Sequence, residues 1–245
     1  MKKATAWILS VAVLMTLAAL PGYGQTAQDV LNKMIDAMGG KKALEAIKDT
    51  TITGTVELVQ ANMSAPITIY QKEPNKIRVD VEIAAAGMSF IQAYDGQKGW
   101  GTNFQTMATE EMSDDMSKDF SHQALGNDSL LNPKKLGITF ALKPKEKLED
   151  KDYIVLEQTL ADGHKTTLFL DPATYLPYKS VTKSLDPMAG SEVESESFLS
   201  DYRKVGGLMV AYSTRVMSKG EEVQRLTFTG VTYNSNLDDA LFLMK

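Results

Sequence analysis

The chain has 245 residues, 43% of them hydrophobic and 23% charged, with a formal net charge of −5. These proportions suit a globular protein whose core needs no disulfide or metal staple. The complete absence of cysteine excludes disulfides, a thiolate nucleophile, thiolate metal sites and acylation of the bacterial lipoprotein kind. The acidic balance, without a basic stripe, argues against nucleic acid as a partner.

Lys2 and Lys3 precede an apolar run from Ala4 to Leu20, which Pro21 breaks. Gly22 and Gly24 place small residues where a signal peptidase reads, so residues 1–24 are expected to be a signal peptide cut between Gly24 and Gln25. A membrane anchor is the competing reading, but the run is short for one. Residues 25–245 are then expected to form one domain.

Gln28 to Lys48 predicts two short helices. Val30, Leu31, Met34, Ile35 and Met38 make an apolar stripe, and Gly39-Gly40 stops it. The period then changes to two. Strands are predicted over Thr51–Val59, Ile67–Gln71, Ile77–Ile83, Met88–Tyr94 and Lys98–Asn103, with turns at Pro74-Asn75 and Asp95-Gly96. An insertion over about 107–136 breaks the rhythm, and Met112, Met116 and Phe120 at four-residue spacing predict an amphipathic helix in it. Strands resume after Gly137 and end in a three-strand meander from Glu192 to Tyr233. The total is about 10–12 antiparallel strands without regular helix–strand alternation. That favours a strongly curved sheet or open barrel over a doubly wound fold.

No phosphate loop, dinucleotide fingerprint or nucleophile elbow is present, and no cofactor, catalytic residue or metal ligand is assigned. His122 and His164, the chain's two histidines, fall in different elements without metal-ligand spacing, and read as surface or turn residues. Asp114-Asp115 reads as a solvated helix face, because adjacent helical residues diverge. Glu192, Glu194 and Glu196 share one strand face, more a solvated edge than a calcium site. The distinctive feature is a run of soft apolar residues: Met88, Phe90, Trp100, Phe104, Met107, Met112, Met116 and Phe120. Methionine adapts to irregular ligands. As a group these residues are candidates for the lining and lid of an apolar cavity, with ordinary core packing as the alternative.

Several motifs occur in a telling order: Ala37-Met38-Gly39-Gly40, Thr53-Gly54, Tyr70, Glu73-Pro74-Asn75-Lys76-Ile77-Arg78, Tyr94-Asp95-Gly96-Gln97-Lys98-Gly99-Trp100, and Phe169-Leu170-Asp171-Pro172-Ala173-Thr174-Tyr175-Leu176-Pro177. In this order and spacing the chain resembles the LolA/LolB-like superfamily of outer-membrane lipoprotein-sorting proteins. The resemblance implies a mainly β fold with short helices: a half-open antiparallel β-barrel closed by an N-terminal helix and a central helical lid. It further implies a periplasmic carrier or binding protein that shelters lipid or lipoprotein acyl chains, with envelope membrane proteins as donors or acceptors of the cargo. Where the best-studied carriers have a lid-latching arginine before the Pro-Asn turn, this chain has Glu73, and Arg78 is the nearest candidate latch. The alternative reading is a non-catalytic interaction module of the cell envelope with a solid core.

Overall fold

The computed structural model describes residues 24–83, 87–103, 105–185 and 191–245. The expected signal peptide therefore lies outside the described residues, apart from Gly24. Among the described residues, no helix is long and apolar enough to cross a membrane.

Two helices open the described chain, α1 (Ala27–Ala37) and α2 (Lys41–Glu45). Thr26 starts α1 through a reciprocal capping box: its hydroxyl accepts from the Asp29 amide, and the Asp29 carboxylate accepts from the Thr26 amide. Thirteen strands follow: β1 (Asp49–Leu58), β2 (Met63–Lys72), β3 (Lys76–Ile83), β4 (Met88–Tyr94), β5 (Gly99–Thr102), β6 (Thr109–Glu111), β7 (Thr139–Leu148), β8 (Lys151–Thr159), β9 (Lys165–Leu170), β10 (Pro177–Leu185), β11 (Glu192–Val205), β12 (Leu208–Ser218) and β13 (Glu221–Tyr233). Between β6 and β7 stand α3 (Asp114–Gln123), α4 (Asp128–Leu131) and a 3₁₀ turn, Pro133–Leu136. Against the expected 10–12 strands, the described residues form 13. Thr109–Glu111, placed by sequence in the helical insertion, instead adds a short strand beside β5.

All thirteen strands form one antiparallel sheet, ordered β6-β5-β4-β3-β2-β1-β13-β12-β11-β10-β9-β8-β7. Its two free edges, β6 and β7, are joined in sequence by the helical insertion. The sheet does not close on itself, and the architecture is a half-open barrel with helices on one face.

Alternation along the strands divides the apolar residues between the two faces. On the helix-covered face, α1 buries Val30, Leu31 and Met34, each at most 1% exposed, against Ile154, Leu156 and Leu170 of β8 and β9. Each such side chain contributes about 1.5–3 kcal/mol of burial energy. Gly39 ends α1 with φ +127°, and a Cβ there would lie 2.7 Å from the Gly207 carbonyl oxygen. Only glycine allows the helix end to settle so closely on the start of β12, where the Met209 amide donates to the Met38 carbonyl.

On the opposite face, Tyr153, Val155 and Phe169 form a second cluster with Tyr178 and Val181. Lys179, 8% exposed, lies over the Phe169 and Phe198 rings with its ammonium 2.7 Å from Glu196. The C-terminal tail covers the same face further along. Lys72 donates to the Leu237 carbonyl, Arg78 to that of Leu241, and Trp100 Nε1 to that of Phe242. Phe242 is fully buried. The strand pattern ended at Tyr233 and gave no notice of this anchor.

Candidate functional site

The helix-covered face carries a continuous apolar floor across the middle of the sheet. Ile52, Val56, Ile67 and Ile69 of β1 and β2 stand in register with Leu226 and Val231 of β13. Phe228 stands opposite Gly54, where the register slips between Thr53 and Gly54. Such a bulge adds twist and bends the strand. Toward β11, Leu199 faces Thr214.

Helices cover this floor only in part. At one end α1 and α2 bring Met38, Leu44 and Ile47 against it. There a groove of about 330 Å³ opens, lined by these side chains with Ile52, Leu199, Tyr202, Phe228 and Val231 among others. Polar groups are few: Thr50, Gln71, Asn127, Thr214 and the hydroxyls of Tyr202 and Tyr233. The Tyr202 hydroxyl is occupied, donating to the Pro177 carbonyl at 2.6 Å, and burial pushes its phenol well up from the usual range. A larger cleft of about 620 Å³ lies between α1 and the 3₁₀ turn, but Gln28, Asn32, Asp36, Lys41, Lys134 and Lys135 line it. Several of those side chains are already paired, Gln28 with Asn32, Lys41 with Glu45 and Lys135 with Asp128, and the lining is polar, so the smaller apolar groove is the better site for an apolar ligand.

α3 lies on the same face over β3 and β4. Phe120, 7% exposed, and Ala124 pack on Ile77, with Ile69, Val79, Tyr94 and Met112 around them. The methionine-bearing helix is therefore seated directly on the sheet at this end, and the apolar groove opens elsewhere, beside α2. Met112 and Met116 also border a recess of about 450 Å³ shared with Gln92, Asn103, Glu110 and Glu111. The Ser113 hydroxyl starts α3 by accepting from the Met116 amide.

The other candidates are dispersed. Phe90 is half-buried opposite Val81, on the helix-covered face. Met88 stands opposite Ile83. Phe104 lies outside the described residues. Met107 is 40% exposed, in the β5–β6 turn with φ +60°.

Two further candidates stand on the other face. Trp100 pairs with Ala93, and Ala93 with Arg78, so Trp100 and Arg78 project from the face opposite the groove. Trp100 is a wall for the C-terminal tail, not for a cavity. Arg78 is held by Asp80 at 2.7 Å and by the Leu241 carbonyl at 2.9 Å, away from α3.

Glu73 holds the insertion instead. Its carboxylate accepts from the Asn127 amide at 2.8 Å, ahead of α4, while the Gly126 amide donates to the Pro74 carbonyl. Burial pushes the Glu73 carboxyl up, against the stabilising Asn127 amide. A Cβ on Gly126 would lie 2.0 Å from Glu73 Oε2. Gly126→Ala is expected to displace the carboxylate and cost about 1–2 kcal/mol. The checks are the thermal midpoint and faster proteolysis between α3 and α4.

The far end of α3 reaches the other wing of the sheet. His122 Nε2 lies 2.9 Å from Asp162 Oδ2, and Lys118 Nζ 3.3 Å from the same oxygen. Asp162 sits in the β8–β9 turn, where its other oxygen accepts from the His164 amide. That amide, then His122 and Lys118, hold the Asp162 carboxyl well below the usual carboxylate range against partial desolvation. The His122 and His164 rings are in contact, 4.1 Å between centroids. Desolvation and the neighbouring His122 lower His164, and burial raises Asp119 against the Leu185 amide that donates to it. α3 thus straps the opening of the half-barrel from β4–β5 to the β8–β10 wing. Sequence spacing could not reveal this meeting, because the two histidines become neighbours only through that crossing.

No family model matches the chain, and no curated protein does. Solved structures do. The fold is similar to that of a DUF1329 family protein from Desulfovibrio piger, with TM-score 0.60 and 13% identity over 89% of this chain and 95% of the other. It is also similar to a LolA superfamily protein from Nitrosomonas europaea, with TM-score 0.58 and 18% identity over 89% of this chain and 98% of the other.

Proposed function

We propose that this chain, which has the LolA-like fold, is a carrier or binding protein of the cell envelope that shelters acyl chains in the groove beside α1 and α2. In this reading residues 1–24 direct export and are removed, residues 25–245 act as one periplasmic domain, and the cargo is a lipid or the acyl part of a lipoprotein on its way to the outer membrane. Membrane proteins of the envelope would hand over or receive it.

The observation that carries the reading is the half-covered apolar floor. Its volume of about 330 Å³ falls within the range of small-ligand sites, about 300–1,000 Å³. Each methylene moved from water onto such a floor gains about 0.8 kcal/mol. The scarce polar groups around it suit a hydrocarbon chain, whose binding needs area more than directed hydrogen bonds. The signal-like N-terminus supports an envelope location.

The test combines native mass spectrometry of protein purified from a bacterial periplasm with displacement of a fluorescent fatty acid. Co-purified lipid and saturable probe binding are expected. Leu199→Glu puts a charge on the half-buried groove wall, where an incoming chain would desolvate it. It is expected to weaken probe binding at least about tenfold, equivalent to about 1.4 kcal/mol, while the thermal midpoint changes little. Absence of bound lipid, together with equal probe uptake by wild type and Leu199→Glu, defeats the proposal. Capture of an envelope protein without probe uptake would favour a solid interaction module.

A further inference from the structure

Where α3 meets the opposite wing, three side chains with metal-binding chemistry converge. Asp119 and His122 are three residues apart on α3 and so share a face; His164 comes from the β8–β9 turn. One donor atom from each lies within 4.8 Å of the other two, and all three residues are half-buried. The imidazoles already have outer partners. His122 Nε2 is held by Asp162 at 2.9 Å, and His164 Nε2 by Thr182 Oγ1 at 3.0 Å. The nitrogen left to each ring is Nδ1. For His122 that atom is buried and has no hydrogen-bond partner, an arrangement that normally costs stability. Outer partners of this kind, a carboxylate above all, fix the tautomer and orientation of metal-bound histidines.

We propose that Asp119, His122 and His164 form a site for a divalent transition-metal ion of the zinc class, which clips α3 to the β8–β9 turn. Two imidazoles and a carboxylate suit zinc and its neighbours, not calcium or magnesium, which take oxygen sets. Zinc–ligand distances of about 2.0–2.2 Å require only that the three side chains draw inward from their present spacing. Binding would give the His122 Nδ1 lone pair the partner it lacks. It would also leave a coordination position for water or a fourth donor. The ion would tie the helical strap to the β8–β9 turn at the end of α3 that faces this wing.

The experiment is a zinc titration of the full-length chain freed of metal by a chelator, followed by competition with a chromophoric chelator and by thermal melting. One equivalent of zinc is expected to bind. At zinc a hundredfold above Kd the thermal midpoint should rise by about 5–10 °C. The double variant His122→Asn/His164→Gln should lose the high-affinity equivalent. Asp162→Asn, which touches only the outer shell, should weaken binding about tenfold or more. Circular dichroism of each variant without metal establishes that the fold is kept. If the double variant does not fold, Asp119→Asn takes its place, with the same expected loss. The proposal is overturned if the folded wild type binds no zinc, or if folded variants lacking the ligands bind it as well as wild type. The titration does not depend on the groove's contents, so either reading can fail without the other.

Discussion

Asp49→Ala is expected to lower stability by about 4 kcal/mol. Asp49 is 4% exposed and begins β1. Its carboxylate accepts from three consecutive backbone amides, Ser235 at 2.6 Å, Asn236 at 2.9 Å and Leu237 at 3.3 Å. Its own carbonyl accepts from the Asn234 amide. This one residue therefore turns the chain after β13 and sends it over the sheet to bury Phe242. Without the carboxylate, three amides lose a charged acceptor in a site with little water. For a protein of this size 4 kcal/mol corresponds to a fall in thermal midpoint of about 8–16 °C. Asp49→Asn keeps one acceptor oxygen and should lose about half as much. Tail release has its own reporter. In the chain from Gln25 onward Trp100 is the sole tryptophan, and its Nε1 donates to the Phe242 carbonyl. Its emission should shift to the red in Asp49→Ala under native conditions. A midpoint within a degree or two of wild type, with unchanged emission, would contradict this account.

Gly54→Ala is expected to cost about 3 kcal/mol, because the obstruction is backbone. A Cβ on Gly54 would lie 2.3 Å from the Thr227 carbonyl oxygen and 2.8 Å from Phe228 Cα. Neither atom can rotate away, so β1 and β13 must part at the bulge. Gly230 provides the control. It pairs with Thr53 across the same bulge, yet a Cβ there meets only Thr53 Oγ1, at 2.9 Å. A hydroxyl can change rotamer, so Gly230→Ala should cost well under half as much as Gly54→Ala. Denaturant midpoints measured side by side check the order. Equal losses would mean that the cost comes from glycine's general freedom and not from this contact.

Local patterns in the sequence were enough for the strands and the first helix. Ile77, Val79, Val81 and Ile83 alternate with Arg78, Asp80 and Glu82, and β3 follows. The stripe from Val30 to Met38 gives α1. Helical spacing also located α3, though β6 was hidden ahead of it because Thr109–Glu111 is too short and polar to signal a strand. The groove was harder to read. Its walls come from the ends of α1 and α2 and from β1, β2, β10, β11, β12 and β13, which no local run unites, whereas the conspicuous methionines cluster in sequence and disperse in space. Nearness along the chain groups Trp100 with Phe90. Strand parity separates them, since Trp100 falls in step with Ala93 across the hairpin. Glu73 looked like the loss of a latch, but a carboxylate at that position grips a backbone amide where an arginine would need a different partner.

Among the described residues, every strand pairing but one joins neighbours in sequence; the exception is β1 with β13, where Thr50 meets Tyr233. Each wing can zip up from local hairpins, while this seam waits for a closure spanning most of the chain, the slow kind of contact. In pulsed hydrogen exchange during refolding, the β1 amides that bond to β13 should be the last in the sheet to gain protection. On this topology the apolar floor is expected to be completed only when the β1–β13 seam forms.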